Sequence, residues 1–239
     1  MLRPYQAIVS ARFRTLLQYR AAALAGFATQ LFWGLIRVMI FEAFFRSTST
    51  QQPMDLADVV TYIWLGQAFF VLLPWNVDRD IQALIRSGAV SYELLRPLDL
   101  YTLWFSRALA WRTAPTLLWS VPLLAMAALF FDMQAPSTWA SAGAFVLSMS
   151  AALLLACAIT NVLNVSMLWT ISGTGITAFS ASAVMIFSGS VVPIPFFPDW
   201  AQPFLEALPF RGLVDVPFPL YMGHIPPGDV LGHVAVQLA

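Results

Sequence analysis

The sequence predicts an all-α, polytopic membrane protein, and three observations support this fold class. Hydrophobic residues make up 59% of the chain and charged residues only 10%, whereas a soluble domain carries about 25% charged residues. Residues 133–198 contain no charged residue, a stretch much longer than the ~20 residues that one membrane span requires. The arginines are unevenly distributed, because nine of the twelve lie in residues 1–20 and 76–112.

The same composition excludes several classes of function. The net charge is zero, so no basic surface for nucleic acid is predicted. The chain has no Lys and therefore no phosphate-binding loop of the GxxxxGK[ST] type. No paired Cys or His spacing suggests a metal site, and the single Cys157 cannot form an internal disulfide. We therefore predict no catalytic centre, cofactor or metal in this chain.

Residues 1–20 are predicted to form an amphipathic helix that lies on the membrane surface. Arg12 interrupts the apolar face, while Gln6 and Arg14 lie on the polar side. The spacing of the apolar residues favours this interfacial helix over a simple cytoplasmic flank of the first span, and both interpretations stay open at this point. The apolar face comprises Tyr5, Ile8, Val9, Phe13, Leu16 and Leu17.

Five apolar segments are predicted to cross the membrane after this helix. Pro115 and Pro122 should kink the third segment, because each proline frees a carbonyl of the preceding turn. A turn between Asn164 and Gly173 should separate the fourth segment from the fifth, since Asn, Ser, Thr and Gly cluster there. The segments are Ala21–Phe45, Val59–Trp75, Leu109–Phe131, Trp139–Val162 and a fifth that ends near Val192.

The first segment contains two charged residues, Arg37 and Glu42. An intramembrane charge is a candidate functional residue. Arg37 could instead lie near the outer end of the span and snorkel to the headgroups, which is the interpretation we favour. Glu42 lies five residues further along, so it falls on another side of the helix and should not pair with Arg37.

The segment Asn76–Arg112 is predicted to be a structured cytoplasmic loop that binds a partner protein, since it holds five of the twelve arginines. A short helix should begin at an aspartate or asparagine cap and stop at a glycine. A second piece, Ser91–Arg96, should end at Pro97. The first helix would have Asp78 or Asn76 as its cap, Ile81, Leu84 and Ile85 as its apolar face, and Arg86 and Gly88 at its end.

Residues 193–229 contain nine prolines and cannot form one long helix. Trp200–Leu208 could form a short helix, and the aromatic residues around it suit the interface or a segment that dips back into the membrane. Residues 230–239 are apolar but too short to span, which suggests that a sixth span is truncated here.

The arginines also predict the orientation of the chain. The N-terminus and residues 76–112 should be cytoplasmic, because the loops predicted on the opposite side carry only Arg46 and Arg211. The proline-rich residues 193–229 should then face outward.

Four features together resemble the permease subunits of ABC-2 type transporters, most closely a poorly characterised bacterial branch, and the likeness covers nearly the whole chain. The first is the amphipathic N-terminal helix. The other three are Ile85-Arg86-Ser87-Gly88 with Leu94-Leu95-Arg96-Pro97-Leu98, then Phe187-Ser188-Gly189 with Pro193, and finally Phe197-Pro198-Asp199-Trp200 with Leu208-Pro209-Phe210.

The resemblance implies a single permease domain over residues 1–239 with six spans, the last truncated, in a bacterial cytoplasmic (inner) membrane. Two permease subunits would pair, as a homodimer or a heterodimer, and bind two ATPase subunits that hold the ATP and Mg²⁺. The N-terminal helix would be one contact with the ATPase. The other would be the coupling helix and its flank, comprising Asp78, Arg79, Ile81, Leu84, Ile85, Arg86, Gly88 and Arg96.

The same resemblance implies an ATP-driven exporter or flippase. The uncharged fourth and fifth segments favour an amphipathic or lipid-linked cargo. The outer segment would form re-entrant helices that gate the exit, with Ser188, Gly189, Pro193, Pro198, Trp200 and Pro209 as gate residues.

Two alternatives stay open. Ser188-Gly189 could belong to an intramembrane serine protease, although Ile186 stands where that motif has Gly and His233 has no defined register to Ser188. Small residues for close helix packing are the simpler interpretation of this stretch. The chain could also be a membrane scaffold or channel without ATP coupling.

Overall fold

The structure is a computed structural model that describes residues 3–18, 20–170 and 173–239, with the side chains of residues 3, 12, 16–18 and 20–23 left out. These residues form twelve α-helices and three short 3₁₀ helices. The α-helices are α1 (Arg3–Gln18), α2 (Arg20–Ser47), α3 (Leu56–Ala68), α4 (Arg79–Arg86), α5 (Val90–Leu94), α6 (Leu100–Phe130), α7 (Trp139–Thr170), α8 (Thr174–Phe187), α9 (Gln202–Ala207), α10 (Arg211–Val214), α11 (Pro217–Met222) and α12 (Val230–Leu238). The 3₁₀ helices are Phe70–Leu72, Ile194–Phe196 and Pro227–Asp229.

Among the described residues, three helices are long and apolar enough to cross a membrane: α6, α7 and the part of α2 from Leu24 to Ser47. The predicted second and fifth spans are shorter than expected, since α3 has 13 residues and α8 has 14. The helix of the second segment ends at Ala68, and the chain continues as the 3₁₀ helix Phe70–Leu72 and then without regular secondary structure toward α4. The helical membrane fold is therefore confirmed, whereas six full-length helical spans are not seen in the part of the chain that the structure describes.

The broken second segment is stabilised by side chains from neighbouring helices. Arg112 Nε donates to the Leu72 carbonyl at 3.1 Å, and Ser180 Oγ donates to the Pro74 carbonyl at 3.4 Å. Trp75 Nε1 also returns to the Phe70 carbonyl at 3.2 Å. Irregular backbone inside a membrane protein is tolerated where protein groups satisfy its carbonyls in this way.

The long helix α6 begins at Leu100, well before the predicted start at Leu109. Its N-cap is Asp99, whose carboxylate accepts hydrogen bonds from the hydroxyl and the N–H of Thr102 at 2.6 and 2.7 Å. These bonds hold the pKa of the Asp99 carboxyl below its ordinary value. The predicted loop 76–112 thus ends at Asp99, and Arg107 and Arg112 lie inside α6.

The helix α7 also extends further than predicted, from Trp139 through Val162 to Thr170. Residues 164–170, where part of the turn before Gly173 was expected, are helical instead, and residues 171 and 172 lie outside the described residues. Asn164 is fully buried within α7, and its side chain accepts a hydrogen bond from Asp78 N at 3.3 Å. A tertiary partner thus holds a turn-favouring residue inside the helix.

The predicted N-terminal helix is present as α1, but protein covers part of its apolar face. Tyr5 and Ile8 pack near Trp104 of α6, and the Tyr5 hydroxyl accepts a hydrogen bond from Asp99 N at 3.0 Å. A Cβ added to Gly26 would lie 2.5 Å from the Trp119 ring. Tyr5 contacts Asp99, and Gly26 contacts Trp119. Both pairs advance by about twenty residues in the same direction, so α1 and α2 run parallel to α6.

The placement of α1 on a membrane surface thus stays a prediction, with Tyr5 and Ile8 of its apolar face already packed against the cluster that contains Trp104. Predictions for Met1, Leu2 and Tyr19, and for the side chains of Arg12, Leu16 and Leu17, fall outside the described residues.

Candidate functional site

The helix α4 has the boundaries that its sequence signals indicate. Asp78 is the N-cap, and its side chain accepts hydrogen bonds from Asp80 N at 2.9 Å and Ile81 N at 3.4 Å. Arg86 is the last helical residue, and Gly88 follows with φ of 74°, a left-handed conformation that favours glycine. Local capping and turn chemistry therefore determine where this helix starts and stops.

The apolar face of α4 packs inside the protein. Ile81 is fully buried against Trp104 of α6 and Met167 of α7, Ile85 packs at the edge of the same cluster, and Leu84 is half-buried. Ile81 and Ile85 thus pack toward the bundle, and the assignment of all three α4 residues to a partner contact stays a prediction. Hydrophobic periodicity alone does not reveal whether an apolar face is covered by the same chain or by another one.

A different set of residues is exposed on this side of the molecule. On α4 the exposed residues include Arg79 and Arg86. On α5 and just after it, Tyr92, Leu94 and Leu95 expose 71%, 64% and 80% of their surface. Arg96 is exposed beside them. We call this solvent-exposed side of α4 and α5 the outward surface, where "outward" means away from the helix bundle. It combines three large apolar side chains with the three arginines Arg79, Arg86 and Arg96.

Arg107 of α6 links α4 and α5 to the long helix. Its Nε lies 3.1 Å from Asp78 Oδ2, one terminal nitrogen lies 3.1 Å from Asp80 Oδ2, and the other lies 3.9 Å from Glu93 Oε1. Glu93 also accepts a hydrogen bond from Trp104 Nε1 at 2.8 Å. We call these residues, Arg107 with its three carboxylates and Trp104, the arginine clamp.

The clamp is not apparent from the sequence as long as Arg107 is assigned to a loop. Trp104 and Arg107 are three residues apart in α6 and therefore share one helix face. Recognition of the Asp99 cap would have placed both on that helix. Asn164 supplies a second link, since its bond to Asp78 N joins the start of α4 to α7.

At the opposite end of the bundle, Arg37 is bound to protein carbonyls. Its guanidinium donates to Ser190 O and Val191 O, each at 2.6 Å, just after the end of α8. The favoured interpretation that Arg37 snorkels to the headgroups was therefore wrong. Glu42 pairs with Arg46, four residues further along the same helix, at 3.5 Å. It does not pair with Arg37, as its position on another side of the helix predicts.

The structure groups only half of the predicted outer-gate residues. Ser188, Gly189 and Pro193 are buried together after α8, and the Tyr62 hydroxyl donates to Gly189 O at 3.1 Å. The remaining three, Pro198, Trp200 and Pro209, are exposed. The short helix expected over Trp200–Leu208 is observed as α9, Gln202–Ala207.

Asp215 connects this outer segment to the bundle. Its carboxylate accepts a hydrogen bond from Ile194 N at 3.3 Å, and it lies 3.4 Å from the Tyr62 hydroxyl and 3.5 Å from Arg211 Nε. Composition gave no sign of this residue's role, because its partners are distant in sequence.

Comparison with known proteins identifies the family. Residues 27–239 match the family described as ABC-2 family transporter protein. The chain belongs to this family. No curated protein and no solved structure matches the chain.

Membership makes this ABC-2 chain a membrane permease component of an ABC transporter, a class of component that associates with an ABC ATPase subunit. The three long apolar helices agree with that assignment. The family resemblance seen in the sequence is therefore confirmed.

The structure lends no geometric support to a protease site in this ABC-2 chain. Ser188 is fully buried, and its Oγ accepts a hydrogen bond from Ser190 N at 3.3 Å. Within the described residues no histidine hydrogen-bonds to Ser188, and His224 binds Asp58 at 2.7 Å instead. A nucleophilic serine needs a base within hydrogen-bonding reach.

Proposed function

We propose that this ABC-2 chain is the membrane-spanning subunit of an ATP-driven exporter or flippase, powered by a separate ATPase subunit that binds the α4–α5 side. The observation that carries this proposal is the arginine clamp. Arg107 joins both short helices to α6 while Arg79 and Arg86 stay exposed. A displacement of α4 and α5 would thus reach α6 without passing through a flexible linker.

The physical requirement for coupling is a difference in contact energy between two states of the permease. ATP binding would move the ATPase subunits, and α4 would move with them. Because α4 is fixed to α6 by Arg107 and to α7 by Asn164, the two longest helices would shift together. In this mechanism ATP and Mg²⁺ stay on the ATPase, and the permease contributes no catalytic group.

We propose that the ATPase contact is made by the outward surface rather than by the apolar face of α4. Tyr92, Leu94 and Leu95 would enter an apolar groove. The exposed Arg86 and Arg96 beside them would face acidic residues at its rim, because opposite charges orient such contacts. Buried apolar anchors with a polar rim are the usual composition of protein interfaces.

The remaining features of the proposal concern orientation and cargo. The N-terminus and the α4–α5 loop would be cytoplasmic in a bacterial inner membrane, in line with the arginine distribution. The permease would pair with a second permease chain, identical or related. Uncharged helices α7 and α8 favour an amphipathic or lipid-linked cargo over a small ion.

Replacement of Leu95 with Asp should weaken ATPase binding by about tenfold or more, since burial of a charge opposes insertion into an apolar groove. Arg86→Glu should weaken the same contact through charge reversal. Co-purification from detergent and ATP-dependent transport in proteoliposomes would measure both effects.

The matched control is Gln51→Asp, which adds the same charge to an exposed residue of the loop between α2 and α3. This variant should bind and transport as the wild type does. Full ATPase binding and full transport by Leu95→Asp and Arg86→Glu would contradict the proposed contact.

A further inference from the structure

A cavity of about 350 Å³ lies between α4, α6 and α7. Arg112, Trp111 and Thr160 line its wall, together with the start of α4 from Asn76 to Asp80. This volume is within the range of ligand pockets in proteins and suits a head group rather than a whole lipid.

Arg112 is the notable residue of this cavity because it is fully buried. Its recorded partners are neutral: Leu72 O at 3.1 Å, Ala108 O at 3.4 Å and the hydroxyl of Thr160. A guanidinium has five N–H donors, and these bonds use one on each of its three nitrogens.

Among the described residues, no counter-charge lies beside the guanidinium of Arg112. Arg107 and Arg211, in contrast, lie 3.1 and 3.5 Å from carboxylates. In the described part of the chain, no carboxylate lies within 4 Å of Arg112. A buried charge without a partner is costly, and an anion in the adjoining cavity would offset that cost.

Two carboxylates share the cavity wall, those of Asp78 and Asp80, and both are held by the clamp. Their Oδ2 atoms each lie 3.1 Å from Arg107. Arg107 thereby reduces the repulsion that these carboxylates would exert on an incoming anion. Trp111 adds an aromatic wall, with Arg112 lying 5.3 Å from its ring centre.

We propose that this cavity binds the phosphate or carboxylate group of an anionic amphiphile, with Arg112 as the residue that recognises the charge. The view that this amphiphile is the transported cargo rests on the proposed transport function. Binding itself requires no ATPase, so it can be tested independently of coupling.

The test uses the purified full chain in zwitterionic phosphatidylcholine nanodiscs. Unfolding can be followed with a thiol-reactive dye, because the single Cys157 is fully buried in the folded protein. Phosphatidylglycerol and inorganic phosphate are titrated separately. Phosphatidylglycerol should raise the unfolding temperature, because a ligand of the folded state stabilises it.

Arg112→Gln should weaken the apparent affinity for phosphatidylglycerol by at least about tenfold, through loss of a charged hydrogen-bonding partner. Ala108→Leu should have a similar effect, since it fills the cavity and leaves Arg112 in place. Arg46→Gln is the control, because the Arg46 side chain is 82% exposed, and it should bind as the wild type does.

Stabilisation by inorganic phosphate as well would identify any oxyanion as the ligand, and stabilisation by phosphatidylglycerol alone would identify an amphiphile head group. Unchanged stabilisation of Ala108→Leu by both probes would overturn the proposal, even if Arg112→Gln failed to fold. Such a result would leave the proposed ATPase contact standing, because Leu95→Asp tests that contact separately.

Discussion

Replacement of Arg107 with Gln should reduce coupled transport by at least about tenfold, because loss of one partner of this partly buried ion pair costs about 2 kcal/mol, less than for a fully buried pair. The change leaves Asp78 and Glu93 without their shared cation. The helix α5 would keep its hydrogen bond from Trp104 to Glu93, while α4 would lose the ion pairs that join it to Arg107. On the proposed function, the ATPase would still bind and hydrolyse ATP, while less of its movement would reach α6.

Proteoliposomes that contain both subunits would separate the two activities, since ATP hydrolysis and cargo movement can be measured in one preparation. Insertion of flexible glycines after Gly88 should give the same uncoupling by a different route. Arg46→Gln is the matched control, because the Arg46 pair with Glu42 is exposed and such pairs contribute little. Transport by Arg107→Gln at the wild-type rate would refute the role of the clamp.

Replacement of Gly189 with Val should lower the free energy of unfolding by about 3 kcal/mol, from backbone strain and overpacking together. Gly189 has φ of 78°, which a β-branched residue rarely adopts. A Cβ at this position would also lie 2.8 Å from the Tyr62 hydroxyl. The contact between α3 and the segment after α8 should therefore open.

Thermal unfolding of the purified chain would measure this loss. Gly143→Val in α7 is the control, since a Cβ there meets open space and its φ is not positive. We expect the Gly143 variant to unfold near the wild-type temperature. Equal unfolding temperatures for the two variants would show that the left-handed turn at Gly189 does not limit stability.

Several features of this ABC-2 chain follow from its sequence alone. The low charge content and the long uncharged stretch predict the helical membrane fold, because the bilayer excludes ionised side chains. The bounds of α4 follow from Asp78, Arg86 and Gly88, since caps and left-handed turns depend on neighbours within a few residues. The start of α7 at Trp139 is also as predicted.

Only the tertiary structure decided which residues surround Arg107 and Arg112 and which way the apolar face of α4 points. The sequence placed Arg107 in the loop and Arg112 where the loop and the third segment overlap, but each is held in α6 by partners far away in sequence. The apolar face of α4 that includes Ile81 could be covered by a partner protein or by the same chain. Ile81 is buried against Met167, so this face points into the bundle. Hydropathy and capping act over short distances along the chain, whereas the partner of a buried charge or apolar face is determined by the packing of helices that the sequence separates widely.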